Sequence, residues 1–309
     1  MESDWTSLDD LIMEKIFTML SIGDRFNASM VCQRWSLCFD LPKVWRKVDI
    51  DGYWLTKPIG CDVGKIHSSR ILDYGQITNC LHRIGHHFRW INIRQTEHFA
   101  SLYQLFVVFE SYFNKMLENK LHQSSNISKF TFKFPCDQPL DSDPNGIKLF
   151  GIGGQLIGSF KKLLSKMPNL CELELVDLVL ERYEANSLMD QISIGLSQSL
   201  KVLSIINLTV NHCPLQQISM LSNLEILKIS PQNIDDSMLR LIAVSKLKHL
   251  HIVQNENTPK TVMPCTAKAW THFKRVASEN IHVHLETNSN RNGECDLVIQ
   301  PEAPFIVFQ

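Results

Sequence analysis

The residues able to do chemistry are cysteines and histidines, and their spacing sorts them quickly. Nine cysteines (Cys32, Cys38, Cys61, Cys80, Cys136, Cys171, Cys213, Cys265 and Cys295) are scattered along 309 residues. None forms a C-x-x-C pair, so neither a zinc ribbon nor a RING-type metal site is written here. Their odd number and spread suit reduced thiols better than a disulfide framework. Four histidines form a tighter pattern, with His249 and His251 alternating in one apolar segment and His282 and His284 in another. On neighbouring strands all four would converge, but no cysteine or carboxylate spacing of a known site accompanies them, and no metal or other cofactor is expected. His82-x-x-x-His86-His87 is helical in spacing and reads as a helix end. A G-x-S-x-G nucleophile turn is absent, and no cysteine sits in a recognisable Cys–His arrangement. Gly151-Ile152-Gly153-Gly154 lacks the lysine pattern of a phosphate loop and reads as a turn at a helix start.

The elements that must position such residues follow from the rest of the composition. A hydrophobic fraction of 44% with 20% charged residues predicts a packed chain rather than a disordered one. Lys+Arg 31 against Asp+Glu 32 leaves a net charge of −1, which supplies no general field for nucleic acid or an anionic membrane. The start, Met1-Glu2-Ser3-Asp4-Trp5, is acidic where a signal peptide is basic. The most apolar stretch, Leu102 to Phe113, is interrupted by Gln104 and Glu110 and is too short to span a bilayer. The expectation is a soluble protein of the cytoplasm, the nucleus or both.

Segment 7–20 begins with Ser7 as an N-cap and carries Asp9 and Asp10 where acids suit the helix dipole. Leu8, Leu11, Ile12, Ile16, Met19 and Leu20 recur at helical spacing as one apolar stripe, with Phe17 far from its centre and Met13 at its margin. Apolar residues on more than one face call for a second covering layer or a protein partner. A break is expected at Gly23-Asp24, followed by a second helical run, FNASMVCQRW, and an end at Pro42.

Leu8, Ile16-Phe17, Leu20, Asp24-Arg25, Ala28-Ser29, Val31-Cys32, Arg34-Trp35, Pro42 and Trp45 together resemble the F-box pattern over residues 5–46. V-C-x-R-W followed by P-x-x-W is the specific part. The chain departs from the pattern at Asp9, where a proline usually follows the first leucine, and this removes an apolar contact. A plain helical cap on the following domain is the alternative. The resemblance implies docking onto the Skp adaptor of cullin–RING ubiquitin ligases, with Leu8, Leu11, Ile12, Ile16, Phe17, Leu20, Val31 and Trp35 shared between adaptor contact and the module's own core.

Beyond residue 46 the chain repeats. L-x-x-L-x-L appears as Leu170/Leu173/Leu175, Leu200/Leu203/Ile205, Leu224/Leu227/Ile229 and Leu247/Leu250/Ile252, near the roughly 20–29-residue period of leucine-rich repeats. Weaker copies are Trp45/Val48/Ile50, Phe88/Ile91/Ile93, Ile127/Phe130/Phe132 and Val283/Leu285. Helical segments fill the gaps at 101–121, 155–166, 185–196, 235–244 and 267–278, with an extra one near 69–82. The expected fold class is therefore α/β: an N-terminal helical F-box, then an irregular leucine-rich-repeat solenoid over 47–309, clearest at 167–255, with a parallel strand face and a helical outer face. The repeats depart from the family pattern in mostly lacking the asparagine after the third leucine. The layout is similar to the F-box-only family, 33/39-like members included. PFIVFQ at 304–309 is expected to fold back as a cap or to mark a truncation.

If the leucines point inward, the alternating residues face outward. This gives a basic patch at Arg94, Lys129 and Lys133, an acidic pair at Glu172 and Glu174, Lys228, and the histidines His249, His251, His282 and His284. Trp90, an aromatic among polar neighbours, is the expected anchor for a protein substrate. A solvated face without a dedicated ligand is the alternative. By resemblance the chain is a non-catalytic substrate receptor that reaches cullin and RING subunits through the Skp adaptor; a scaffold that recruits no ligase is the competing reading.

Overall fold

The structure is a computed structural model and describes residues 8–50, 56–58, 70–72, 74–94, 99–118, 125–134, 154–255, 257–259, 265–277, 281–287 and 306–308. Three helices come first: α1 (Asp10–Met19), α2 (Ile22–Ser29) and α3 (Gln33–Phe39), closed by a 3-10 turn at Pro42–Trp45. The cap of α1 is Asp9, whose Oδ1 accepts from the Leu11 amide at 2.8 Å; Ser7 lies outside the described residues. The aspartate that replaces the family proline thus satisfies an amide at the helix start. Gly23-Asp24 does not break the helical run as expected. Ser21 caps α2 and places both residues in its first turn, so the breaks fall at Leu20-Ser21 and at Met30–Cys32.

Beyond the helices come β1 (Lys47–Ile50), an antiparallel pair β2 (Thr56–Pro58) and β3 (Arg70–Leu72), and α4 (Tyr74–Ile84). Strand and helix then alternate: β4 (Trp90–Ile93), α5 (Phe99–Glu118), β5 (Lys129–Lys133), α6 (Gln155–Leu164), β6 (Glu172–Val176), α7 (Arg182–Leu196), β7 (Val202–Ile206), β8 (Ile226–Ile229), α8 (Asp236–Ala243), β9 (His249–Gln254), α9 (Ala267–Val276), β10 (His282–Thr287) and β11 (Ile306–Phe308). A 3-10 turn at Gln216–Met220 stands where a helix would join β7 to β8.

Nine strands form one sheet in the order β1-β4-β5-β6-β7-β8-β9-β10-β11, every pair parallel. Segment 306–308 is its last strand, with Val307 in register with His284. Two inward rows cross the sheet from β1 to β10. The first is Val48, Ile91, Phe130, Leu173, Leu203, Leu227, Leu250 and Val283; the second is Ile50, Ile93, Phe132, Leu175, Ile205, Ile229, Ile252 and Leu285. All are buried, because a period-2 strand sends alternate side chains to one face. Each contributes roughly 1.5–3 kcal/mol relative to exposure. Helices cover this face, with Phe160 of α6 lying 5.7 Å from Phe130 and 5.4 Å from both Phe132 and Phe106.

A buried polar network runs past the C-terminal ends of β6 to β9. Asn207 Nδ2 donates to Asp177 Oδ1 at 2.8 Å and to Asn255 Oδ1 at 2.5 Å, while its Oδ1 accepts from Gln232 at 3.1 Å and Thr258 at 3.0 Å. Its amide reaches Ser230 Oγ at 2.8 Å. Asn207 holds a left-handed φ of 48°, which asparagine tolerates better than most residues. This network pairs buried backbone and side-chain groups where the strands turn away.

The helical module and the sheet share one apolar cluster. Asp40 of the module pairs through both oxygens with Arg83 of α4 at 2.6 Å, and Arg83 lies 5.0 Å over the Phe39 ring. The Arg46 carbonyl accepts from the amides of Arg89 and Trp90.

Candidate functional site

Two surfaces carry the residues singled out in the sequence. The first is on α1 to α3. Inside, Phe17 is fully buried and meets Trp35 edge-on at 6.1 Å, with Met13 beside it in the core. Leu8, Ile16, Leu20 and Trp35 are half-buried against that core. Leu11, at 69% exposed, and Ile12, at 49%, point to solvent with Met19, as does Val31, at 64%, beyond α2. The apolar stripe on α1 therefore does not mark the packed side. The buried side is centred on Met13 and Phe17, because α1 lies against α3 and the 3-10 turn along that edge. Met30 and Leu37, which the periodicity did not single out, extend the exposed apolar surface.

The buried Arg25 guanidinium organises the module from within. It donates to the carbonyls of Phe17, Thr18 and Leu20 at the end of α1 and to Val44 in the 3-10 turn. The same group lies 5.1 Å from the Trp45 ring, whose indole N–H donates to the Phe39 carbonyl. Helix-end carbonyls need such donors when water cannot reach them. The Asp24-Arg25 pair was the sequence signal for this anchor.

The second surface is the outward strand face, where Lys47, Trp90, Lys129, Glu172, Val202, Ile226, His249 and His282 form one cross-sheet row and Asp49, Asn92, Thr131, Glu174, Ser204, Lys228, His251 and His284 the next. Trp90 is not the open anchor expected. It is half-buried between the ammonium groups of Lys47 and Lys129, 4.1 and 4.6 Å from its ring, and its indole N–H has no partner among the described residues. The charges do not separate into a basic patch and an acidic pair. Lys129 meets Glu172 at 2.8 Å, Arg94 meets Asp49 at 3.7 Å, and Glu174 accepts a long 3.5 Å contact from Thr131. Exposed pairs of this kind contribute little stability but cancel net field. Lys133 is exposed without an ion pair among the described residues.

Towards β10 the face becomes imidazole-rich. His251 and His284 stack at 4.3 Å with ring planes 10° apart, and His249 Nδ1 lies 3.2 Å from His284 Nε2. His251 Nδ1 meets Glu286 Oε1 at 2.5 Å, and Lys228 lies 4.0 Å from the same oxygen. Burial pushes His251 below the ordinary imidazole value although Glu286 opposes this; His284 is lowered by burial and then by its three histidine neighbours. His282 is the exposed member of the four, stacked on His249 at 5.4 Å. The other histidine group, His86 and His87, lies in a 3-10 turn just past α4.

The three-helix unit with its inward Phe17, its arginine anchor and its exposed apolar rim is an F-box domain: the F-box family profile matches residues 5–47. Over 48 residues the chain is 40% identical to F-box/LRR-repeat protein 21 of Bos taurus, and equally to the protein of that name from Mus musculus. Those matches cover 16% of this chain and span only 11% of the relatives' length.

Proposed function

We propose that the chain is the substrate-recognition subunit of an SCF-type ubiquitin ligase, with an F-box at 5–46 and an irregular leucine-rich-repeat solenoid at 47–309. The exposed apolar rim of the F-box docks on the Skp adaptor and, through it, reaches cullin and RING subunits. The outward strand face holds a protein target, and Trp90, Arg94, Lys129, Lys133, Glu172, Glu174, Lys228, His249, His251, His282 and His284 are the residues available to it. The chain contributes no transfer chemistry of its own; by tethering, it raises the target's effective concentration near the ubiquitin-charged enzyme.

The observation that carries this reading is the exposure of Leu11, Ile12 and Val31 on a module whose own core is already filled by Met13, Phe17 and Trp45. Apolar side chains left out of a complete core suit a protein partner. The module and the sheet share one apolar cluster, which favours a fixed placement of the target relative to the adaptor.

Co-elution of the purified chain with the Skp adaptor tests the reading, and a complex that also captures cullin separates a ligase subunit from a scaffold. An intact protein that elutes apart from the adaptor defeats it.

A further inference from the structure

The geometry points to a binding site for a divalent transition-metal ion of the zinc class on the strand face, formed by His249, His251 and His284 with Glu286 behind them. The site does not depend on the ligase reading, since it is argued from β9 and β10 alone. Register places His251 directly beside His284, and His249 beside His282, on adjacent parallel strands. One ring nitrogen from each of His249, His251 and His284 lies within 4.8 Å of those of the other two, and because His251 and His284 are stacked 10° from parallel, one of these two rings turns on binding to bring both lone pairs onto one ion.

The closest of these separations is informative. His249 Nδ1 and His284 Nε2 are 3.2 Å apart. Two nitrogens bound at about 2.0–2.1 Å to a tetrahedral zinc ion stand about 3.3–3.4 Å apart, so this pair is already at ligand spacing. Glu286 supplies the supporting contact. Its carboxylate holds His251 Nδ1 at 2.5 Å, which fixes the proton there and leaves Nε2 as the lone-pair donor. A carboxylate behind a ligating histidine orients the ring and raises its basicity.

Lys228 is the opposing charge, 4.0 Å from Glu286, and it limits affinity without occupying a ligand position. Three nitrogen ligands leave one tetrahedral position for water or for a side chain of a bound protein. The set lacks thiolate and carries one carboxylate in the outer layer, which suits zinc, nickel or copper over calcium or magnesium.

Calorimetric titration of the chelator-treated full chain with Zn2+ tests the site. One saturable equivalent is expected, lost in His251→Ala and His284→Ala, and unchanged in the remote His82→Ala. Glu286→Gln should keep the stoichiometry and weaken affinity by about 10–100-fold. Co2+ should give the visible absorption of a four-coordinate site, absent in the His251→Ala/His284→Ala double variant. The three residues are half-exposed, and far-UV circular dichroism verifies that each variant is folded. No saturable zinc binding by the folded chain, or equal affinity in the alanine variants, overturns the site.

Discussion

Arg25 Nη1 donates to the Val44 carbonyl at 2.7 Å, tying the second F-box helix to the turn that leads into the first strand of the sheet. The same side chain closes the end of α1, so one guanidinium joins three elements of the module.

Arg25→Ala removes the guanidinium donor from four buried or part-buried carbonyls, of which that of Phe17 keeps the Leu20 amide. Hydrogen bonds to charged groups are each worth about 1.5–3 kcal/mol and are not additive, so a loss of about 3 kcal/mol is expected. Urea unfolding followed through tryptophan fluorescence, to which the neighbouring Trp45 contributes, measures it. An unchanged midpoint would show that the anchor is dispensable.

Surface and core positions on the F-box should separate cleanly. Leu11→Asp, Ile12→Asp and Val31→Asp each leave stability within about 0.5 kcal/mol, since these side chains already face water. Phe17→Ala, at a fully buried position, should cost about 3–5 kcal/mol. On the proposed function, the three surface changes abolish adaptor capture by a stable chain, whereas Phe17→Ala abolishes it through unfolding. Adaptor binding by the triple surface variant would count against that interface.

Asn207 combines a left-handed backbone with four side-chain partners. Asn207→Gly loses the partners but keeps the backbone relaxed; Asn207→Ala loses both. Alanine should therefore be worse than glycine by about 1 kcal/mol, the reverse of the usual order. Thermal midpoints of the two variants, compared directly, decide the matter.

Thiol reactivity should follow burial. Cys80 and Cys265 are buried and their thiols are pushed up to about 12, chiefly by desolvation. Cys32 and Cys171 are half-exposed. Iodoacetamide at neutral pH followed by peptide mass mapping should label Cys32 and Cys171 well before Cys80 and Cys265, because only the thiolate reacts. Early labelling of Cys80 would contradict the packing of α4 against α5.

Much of this architecture was legible in the chain. Alternation of apolar residues over five or six positions is decided locally, so Val48/Ile50, Phe130/Phe132 and Leu250/Ile252 identified their own strands and inward faces. Repetition did the rest, since each copy can bury its row only against the next. The V-C-x-R-W and P-x-x-W segments marked the F-box for a related reason: Trp35 and Trp45 serve packing needs set by close neighbours.

Tertiary structure decided what depends on distant partners. The side of α1 that faces inward could not be taken from its stripe, because α3 and the 3-10 turn chose Met13 and Phe17. Lys129 and Arg94 looked like a basic patch until the register set Glu172 and Asp49 beside them. Asn255 reaches Asp177 across 78 residues, and His249 reaches His284 across 35. The scattered cysteines and paired histidines that first stood out thus part company. The described cysteines disperse through the fold, while the histidines meet because parallel strands in register bring together side chains that sequence spacing alone leaves apart.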